Sequence, residues 1–270
     1  MIILFGLIIS IGASIGTYYG FGFFDRSLWF LFLLIPFIIT YFVLYLNIYW
    51  LIVLIGIRKY RELEYPRKVN LYHLFNVRMV ASFVLSINGI SVHKIGNKKW
   101  PKEPGLYIFN HVSDYDAWAL YKIMKGRYAF VGKKALRNIV MVRSLASSIG
   151  TLYVENGNME LNKLMSEYAV DYIQNKNTSV VISPEGTRSF TGEILPFKHG
   201  GFHIAKQCDC PIFLIGIHGM EKAVKKSKMK IVRSNIELFD TVSPEQYKDL
   251  SAGEIAKMCE EKYRKYFNQL

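Results

Sequence analysis

Apolar residues run almost unbroken from Met1 to Ile57, and then the pattern changes. Over that stretch the only charged side chains are Asp25 and Arg26. Met1–Phe24 is long enough to cross a bilayer as a helix. It lacks the basic start of a cleaved signal sequence, and apolar sequence resumes directly after it. Ser27–Ile57 is a second run. At about 1.5 Å per residue it exceeds the ~30 Å hydrocarbon core, so it is predicted to tilt, kink near Pro36 or extend into the interface. Arg58, Lys59, Arg61, Arg67 and Lys68 follow, with only Glu62 and Glu64 between them. The Asp25-Arg26 turn has one basic residue, so the positive-inside rule puts the rest of the chain on the cytoplasmic face of a membrane. Leu71–Val92 is a third apolar stretch, broken by His73, Arg78, Asn88 and Gly89. It reads either as an amphipathic helix on the membrane surface or as a core helix of the region that follows.

After Pro101 short apolar runs alternate with helical periodicity. The predicted strands are Leu106–Phe109, Tyr128–Val131, Thr151–Val154, Val180–Ser183, Ile212–Ile217 and Lys230–Leu238. The predicted helices are Tyr115–Met124, Lys134–Ser148, Asn158–Asn175, Gly201–Gln207 and Ala252–Phe267. In the third of these, Leu161, Leu164, Met165, Tyr168, Ala169, Tyr172 and Ile173 form one stripe. Ser251 and Glu254 open the last with a capping box. Alternation of this kind predicts an α/β fold, a layered strand–helix domain behind an N-terminal two-helix transmembrane anchor. The expected division is 1–57 for the anchor, 58–100 for a basic juxtamembrane segment with an interfacial helix, and 101–270 for the α/β domain.

The chain is 51% hydrophobic with a formal net charge of +13. Since the first segment is nearly uncharged, that charge sits on the rest. A basic body suits nucleic acid, anionic lipid or an acidic carrier protein. The membrane segments favour lipid. The aromatic residues gather in the apolar segments rather than in a base-stacking pattern, so no nucleic acid is expected. Cys208, Cys210 and Cys259 have neither the number nor the spacing of a disulfide framework, and Cys208-Asp209-Cys210 lacks a second pair for zinc.

Two polar blocks interrupt the apolar pattern. Asn110-His111-Val112-Ser113-Asp114-Tyr115-Asp116 follows the first predicted strand. Imidazole is the side chain best suited to accept a proton near neutral pH, and a carboxylate beside it fixes the tautomer. His111 and Asp116 are five apart and share no helix face. Their pairing requires His111 in the loop and Asp116 in the first helical turn, with Asn110, Ser113 and Asp114 as capping groups. A plain strand-to-helix cap is the alternative. No Gly-x-Ser-x-Gly elbow marks a serine nucleophile. The second block is Pro184-Glu185-Gly186-Thr187-Arg188-Ser189. Gly186 permits a tight turn, Thr187 offers a hydroxyl, and the Arg188 fork matches two phosphate oxygens. Glu185 either holds Arg188 or touches the ligand. The alternative is a turn with a solvated arginine. Lys198, shortly after, adds positive charge at the same anion, against a lysine's default place on the surface. His199 and His203 have the spacing of a zinc helix, but no glutamate stands beside His199 and Gly200-Gly201 would weaken a helix. No metal and no cofactor are expected.

Together these residues resemble the lysophosphatidate acyltransferase family of glycerolipid acyltransferases. Asn110, His111, Ser113 and Asp116 match its Asn-His-x-Ser-x-x-Asp signature, and Pro184 to Ser189 its Pro-Glu-Gly-Thr-Arg-Ser block. Lys133 and Leu136 are similar to its Lys-x-x-Leu segment, and Phe197-Lys198-x-Gly200 to a further element. The likeness covers roughly Leu74 to Ile217. Three positions depart from it. Asn156 stands where the family often has arginine, Leu214 where a second proline closes Pro-x-x-Pro, and Ser183 where an aromatic residue often precedes the second block. The resemblance implies transfer of a fatty acyl chain from acyl carrier protein or coenzyme A to the sn-2 hydroxyl of lysophosphatidic acid, without an acyl-enzyme. His111 would be the general base and Asp116 its orienting partner. Asn110, Ser113, Lys133, Glu185, Gly186, Thr187, Arg188 and Lys198 would make up the substrate-binding set. The expected partners are a lysophospholipid acceptor, the thioester donor and the bilayer itself, with the chain an integral membrane protein. Another lysophospholipid or glycerol 3-phosphate as acceptor, a non-catalytic adaptor on anionic lipid and a metal-dependent hydrolase are the competing readings.

Overall fold

The computed structural model describes residues 2–20, 35–46, 69–189, 191–224 and 231–268. The Asp25-Arg26 turn, much of the second apolar run, the basic cluster at 58–68 and Lys230 lie outside the described residues. The chain divides into two units, Met1–Lys59 and Tyr60–Leu270.

In the first unit, α1 (Ile2–Gly20) and the helical residues 35–46 (α2) lie against each other. The Thr17 and Tyr41 hydroxyls are 2.8 Å apart. A Cβ on Gly6 would come within 2.5 Å of the Tyr45 ring. Ser10 and Ser14 are buried, and each hydroxyl donates to the carbonyl one turn back. Leu7, Ile8, Ile9, Ile11 and Ile15 are exposed, as are Ile35, Ile39, Val43 and Leu44. Among the described residues no helix is long and apolar enough to cross a membrane.

The second unit is built on one seven-stranded sheet. In chain order its elements are α3 (Leu71–Ile87), β1 (Ile90–Lys94), β2 (Leu106–Phe109), α4 (Asp116–Ile123), β3 (Tyr128–Lys133), α5 (Val140–Ser148), β4 (Leu152–Val154), α6 (Met159–Lys176) and β5 (Ser179–Ile182). Then follow α7 (Phe202–Cys208), β6 (Ile212–His218), α8 (Glu221–Val224), β7 (Val232–Val242) and α9 (Ala252–Asn268). The strand order is β1-β7-β6-β2-β5-β3-β4. Only the β6–β7 pair is antiparallel. The central strands β2 and β5 are buried at every position, which is why they read as unbroken apolar runs rather than as alternation.

Topology fixes where the loops go. From β2 the chain moves outward to β3 and β4, and from β4 it returns through β5 to β6. Right-handed crossovers therefore put α4 and α5 on one face of the sheet and α6 and α7 on the other. The helix contacts agree: α3 packs on α4 and α5, whereas α6 packs on α7 and α7 on α9. The loops after the neighbouring strands β2 and β5 leave toward opposite faces. The crevice between their carboxyl ends is the switch point at which open α/β sheets bind ligands.

Two stretches differ from expectation. Leu71–Val92 divides into α3 and the start of β1. α3 buries Leu74, Val77, Val80, Ala81 and Leu85, while Leu71, Tyr72 and Phe75 stay exposed. Its buried face packs against α4 and α5. β1 was hidden in that apolar stretch. It pairs with β7 from Ile90↔Val232 to Lys94↔Ile236, and so carries the sheet into the segment expected to be juxtamembrane. The predicted Lys134–Ser148 helix is a 3-10 turn over Lys134–Asn138 followed by α5, with Ile139 extended between them.

Candidate active site

β2 ends at Phe109, and the chain turns immediately into the first polar block. Asn110 is buried, and its side-chain amide bonds both main-chain groups of Ile217 on β6, at 3.0 and 2.8 Å. Ser113 is fully buried beneath the loop, its hydroxyl accepting from the Tyr115 N–H at 3.3 Å. Neither side chain reaches an open surface. In this structure both side chains are engaged in holding the loop. Asp116 is the first residue of α4. Its Oδ2 accepts the Val112 and Ser113 N–H groups at 2.7 and 2.8 Å and lies 2.8 Å from Nδ1 of His111. A carboxylate oxygen already accepting two N–H groups is a poor donor, so the third bond is His111 Nδ1–H donating to it. Nε2 is then the unprotonated nitrogen. The His111 side chain is 27% exposed and that of Asp116 0%. Burial pushes the Asp116 carboxyl up, against the His111 and main-chain bonds that hold it down.

The second block meets the first across the crevice. Glu185 is buried, and its two oxygens accept the main-chain N–H of His111 at 2.9 Å and of Leu195 at 3.2 Å. Ser189 N–H donates to the His111 carbonyl at 2.7 Å. Glu185 thus fixes the His111 backbone. It does not hold Arg188, which pairs with the exposed Asp114 of the first block. Burial, with the Asp116 charge nearby, pushes the Glu185 carboxyl up to about 7 despite its two N–H bonds. Gly186 has φ +66°, and a Cβ there would come 2.9 Å from Lys198 Nζ. The positive φ favours glycine, and Lys198 lies over the turn. Thr187 is exposed and Arg188 partly so. Lys133 is exposed at the end of β3, next but one to β2.

One crevice therefore gathers His111, Asp116, Glu185, Gly186, Arg188 and Lys198. Spacing gave no hint of the Glu185 clamp, of Asp114 as the arginine's partner or of the Ser189 bond, since each pair is more than 70 residues apart in sequence. His199 and His203 meet edge to face with ring centroids 6.0 Å apart. Among the described residues no group of three or more His, Cys, Asp or Glu side chains is placed to hold a metal. Chemically, the crevice offers an oriented imidazole with a free nitrogen beside cations suited to an anionic headgroup.

A family model described as Acyltransferase matches residues 90–218, from the first residue of β1 to the last of β6. Three relatives carry the name 1-acyl-sn-glycerol-3-phosphate acyltransferase. That from Limnanthes douglasii is 29% identical over 61% of this chain and 58% of its own length. That from Saccharomyces cerevisiae is 25% identical over 64% and 57%, and that from Haemophilus influenzae 26% identical over 72% and 83%. The chain thus spans under two thirds of the length of the plant and yeast relatives. The crystal structure of the 1-acyl-sn-glycerophosphate acyltransferase from Thermotoga maritima has the same fold, with a TM-score of 0.59 and 21% identity over 73% of this chain and 79% of that one. With both polar blocks brought to the switch point of the matched sheet, the chain carries an Acyltransferase segment over residues 90–218 and is similar there to 1-acyl-sn-glycerol-3-phosphate acyltransferases.

Proposed function

We propose that this protein moves a fatty acyl chain from a thioester, acyl carrier protein or coenzyme A, to the sn-2 hydroxyl of lysophosphatidic acid, giving phosphatidic acid. The observation that carries the reading is the His111 Nδ1–Asp116 bond of 2.8 Å at the mouth of the β2–β5 crevice. It leaves Nε2 free to take the hydroxyl proton as the oxygen attacks the thioester carbonyl. The C–S bond then breaks, and the departing thiolate takes the proton back from the imidazolium. No acyl-enzyme forms. Arg188 and Lys198 bind the acceptor's phosphate at the Gly186 turn, Arg188 exchanging Asp114 for the ligand. Purified protein given lysophosphatidic acid and either donor should yield phosphatidic acid by mass spectrometry. Failure with both donors would sink the reading.

A different acceptor is the second reading, and Asn156 supports it. It lies in the exposed turn after β4, where the family often has arginine. A panel of lysophospholipids and glycerol 3-phosphate, with one donor, separates the two.

The N-terminal unit we read as a membrane anchor with the α/β unit on the cytoplasmic face. Its support is the arrangement of α1 and α2, with leucine and isoleucine outward and Gly6, Ser10, Ser14 and the Thr17–Tyr41 pair inward. That is the reverse of a water-facing helix pair, and small residues at every fourth position let helices approach in lipid. The chain should stay in the membrane pellet after alkaline carbonate extraction. Release into the supernatant would contradict the anchor.

A further inference from the structure

Acyl transfer brings two substrates to one base, and the two sides of His111 differ. On the β5 side stand Arg188 and Lys198. Toward β6 lies a cleft of about 830 Å³, lined by Val112, next to the base, by Ile217 and His218, and by residues 191–194 of the loop after β5 that also carries Arg188 and Lys198. Its charged lining residues are Glu193, Glu221, Lys222 and Arg264. Their signs cancel, and the Arg264 guanidinium is already held by Glu260 at 2.9 Å. The cleft therefore lacks the net positive charge that draws a phosphate headgroup, yet it is rich in hydrogen-bonding groups.

His218 makes its character more definite. Its Nε2 is 2.9 Å from the Tyr266 hydroxyl, which donates to Oε2 of Glu237 at 2.6 Å. The hydroxyl has one proton and gives it to the carboxylate, so Nε2 must carry the hydrogen it shares with Tyr266. That leaves Nδ1 as an acceptor with no hydrogen-bond partner among the described residues. Burial lowers the pKa of the ring, against the Glu237 and Glu221 charges that raise it, and so favours the neutral form. Phe267 stacks on it with centroids 4.6 Å apart. Gly216 leaves room for the cluster, since a Cβ there would sit 2.6 Å from the Tyr266 ring and 3.1 Å from His218 Nε2. The family match ends at His218, so Arg264, Tyr266 and Phe267 come from sequence beyond it.

We propose that this cleft receives the pantetheine arm of the acyl donor, the uncharged amide-bearing chain that acyl carrier protein and coenzyme A share. The arm lies against β6 and α9 with its thioester end at Val112, and the neutral His218 ring accepts one of its amide N–H groups. The assignment rests on the acyltransferase reading and adds to it a location for the donor, in the cleft toward β6.

The test uses the full chain in lipid nanodiscs and two unreactive thioethers, S-octylpantetheine and S-octylmercaptoethanol, which lacks the arm. By calorimetry the wild type should bind the first at least tenfold more tightly than the second. Glu193→Trp, at an exposed position on the lining, should abolish that preference. It should also raise the KM for acyl-CoA and acyl-pantetheine at least tenfold and leave the acceptor KM within twofold. Thr191→Trp, also exposed, repeats the experiment if the first variant does not fold. Equal binding of the two thioethers by the wild type, or an undiminished preference in the folded variants, would overturn the assignment. Arm-dependent binding without turnover on any donor would support the cleft and refute the acyltransferase reading.

Discussion

Asp116 and Glu185 are both buried carboxylates, and both bond His111, yet they do different work. Asp116, in the first turn of α4, holds the imidazole ring and leaves one ring nitrogen bare. Glu185, on the loop after β5, holds the same residue by its main chain and ties it to Leu195. The first sets which way the imidazole faces and which tautomer it adopts. The second sets where that residue sits, by locking two loops that leave opposite faces of the sheet. Orientation and position are thus assigned to separate acids, and substitutions should separate them.

Asp116→Asn should break orientation alone. The amide can present N–H to Nδ1 and favour the wrong tautomer, so kcat should fall by about 10²–10⁴-fold, with membrane binding unaltered. A loss under tenfold would deny Asp116 its role. Glu185→Gln should act through stability and pH. Because burial raises the folded pKa to about 7 from an ordinary value of 4.5, the unfolded chain releases that proton first. Glu185 therefore contributes most at acid pH, and its contribution declines as pH rises through that interval, by about 3 kcal/mol in all. Melting temperature between pH 4 and 8 should lose this slope in Glu185→Gln, and parallel curves for the two proteins would contradict the burial-raised carboxyl.

Smaller effects belong to the exposed side of the crevice. Arg188→Ala removes charge-assisted contacts worth ~1.5–3 kcal/mol. The acceptor KM should rise by roughly 10–100-fold with kcat little changed. An unchanged acceptor KM would make Arg188 a surface residue. Asp114→Ala removes only an exposed ion pair, worth about 0–1 kcal/mol. It should alter stability slightly and, by removing the competing Asp114 carboxylate, lower the acceptor KM by a few fold. A rise in that KM would mean that Asp114 helps to bind the ligand.

The same contrast explains what could be read from the chain. The strands β2, β5 and β6 were legible because burial on both faces makes them short apolar runs. The His111–Asp116 geometry was legible because a five-residue spacing across a strand-to-helix junction has one solution. The bonds of Glu185 were not legible because its partners are main-chain N–H groups, which no side-chain pattern reveals. Asn110 looked available for the same reason, though its amide is bound to β6. β1 was missed because an edge strand of half-polar residues directly follows an apolar helix. The break at Ile139 was missed because the helical pattern continues through it.

His111→Ala, assayed by acyl transfer to lysophosphatidic acid with the full chain in vesicles, tests the central claim most directly. The account predicts a loss of about 10²–10⁴-fold in kcat with the acceptor KM and membrane association unchanged. Turnover within tenfold of the wild type would contradict it.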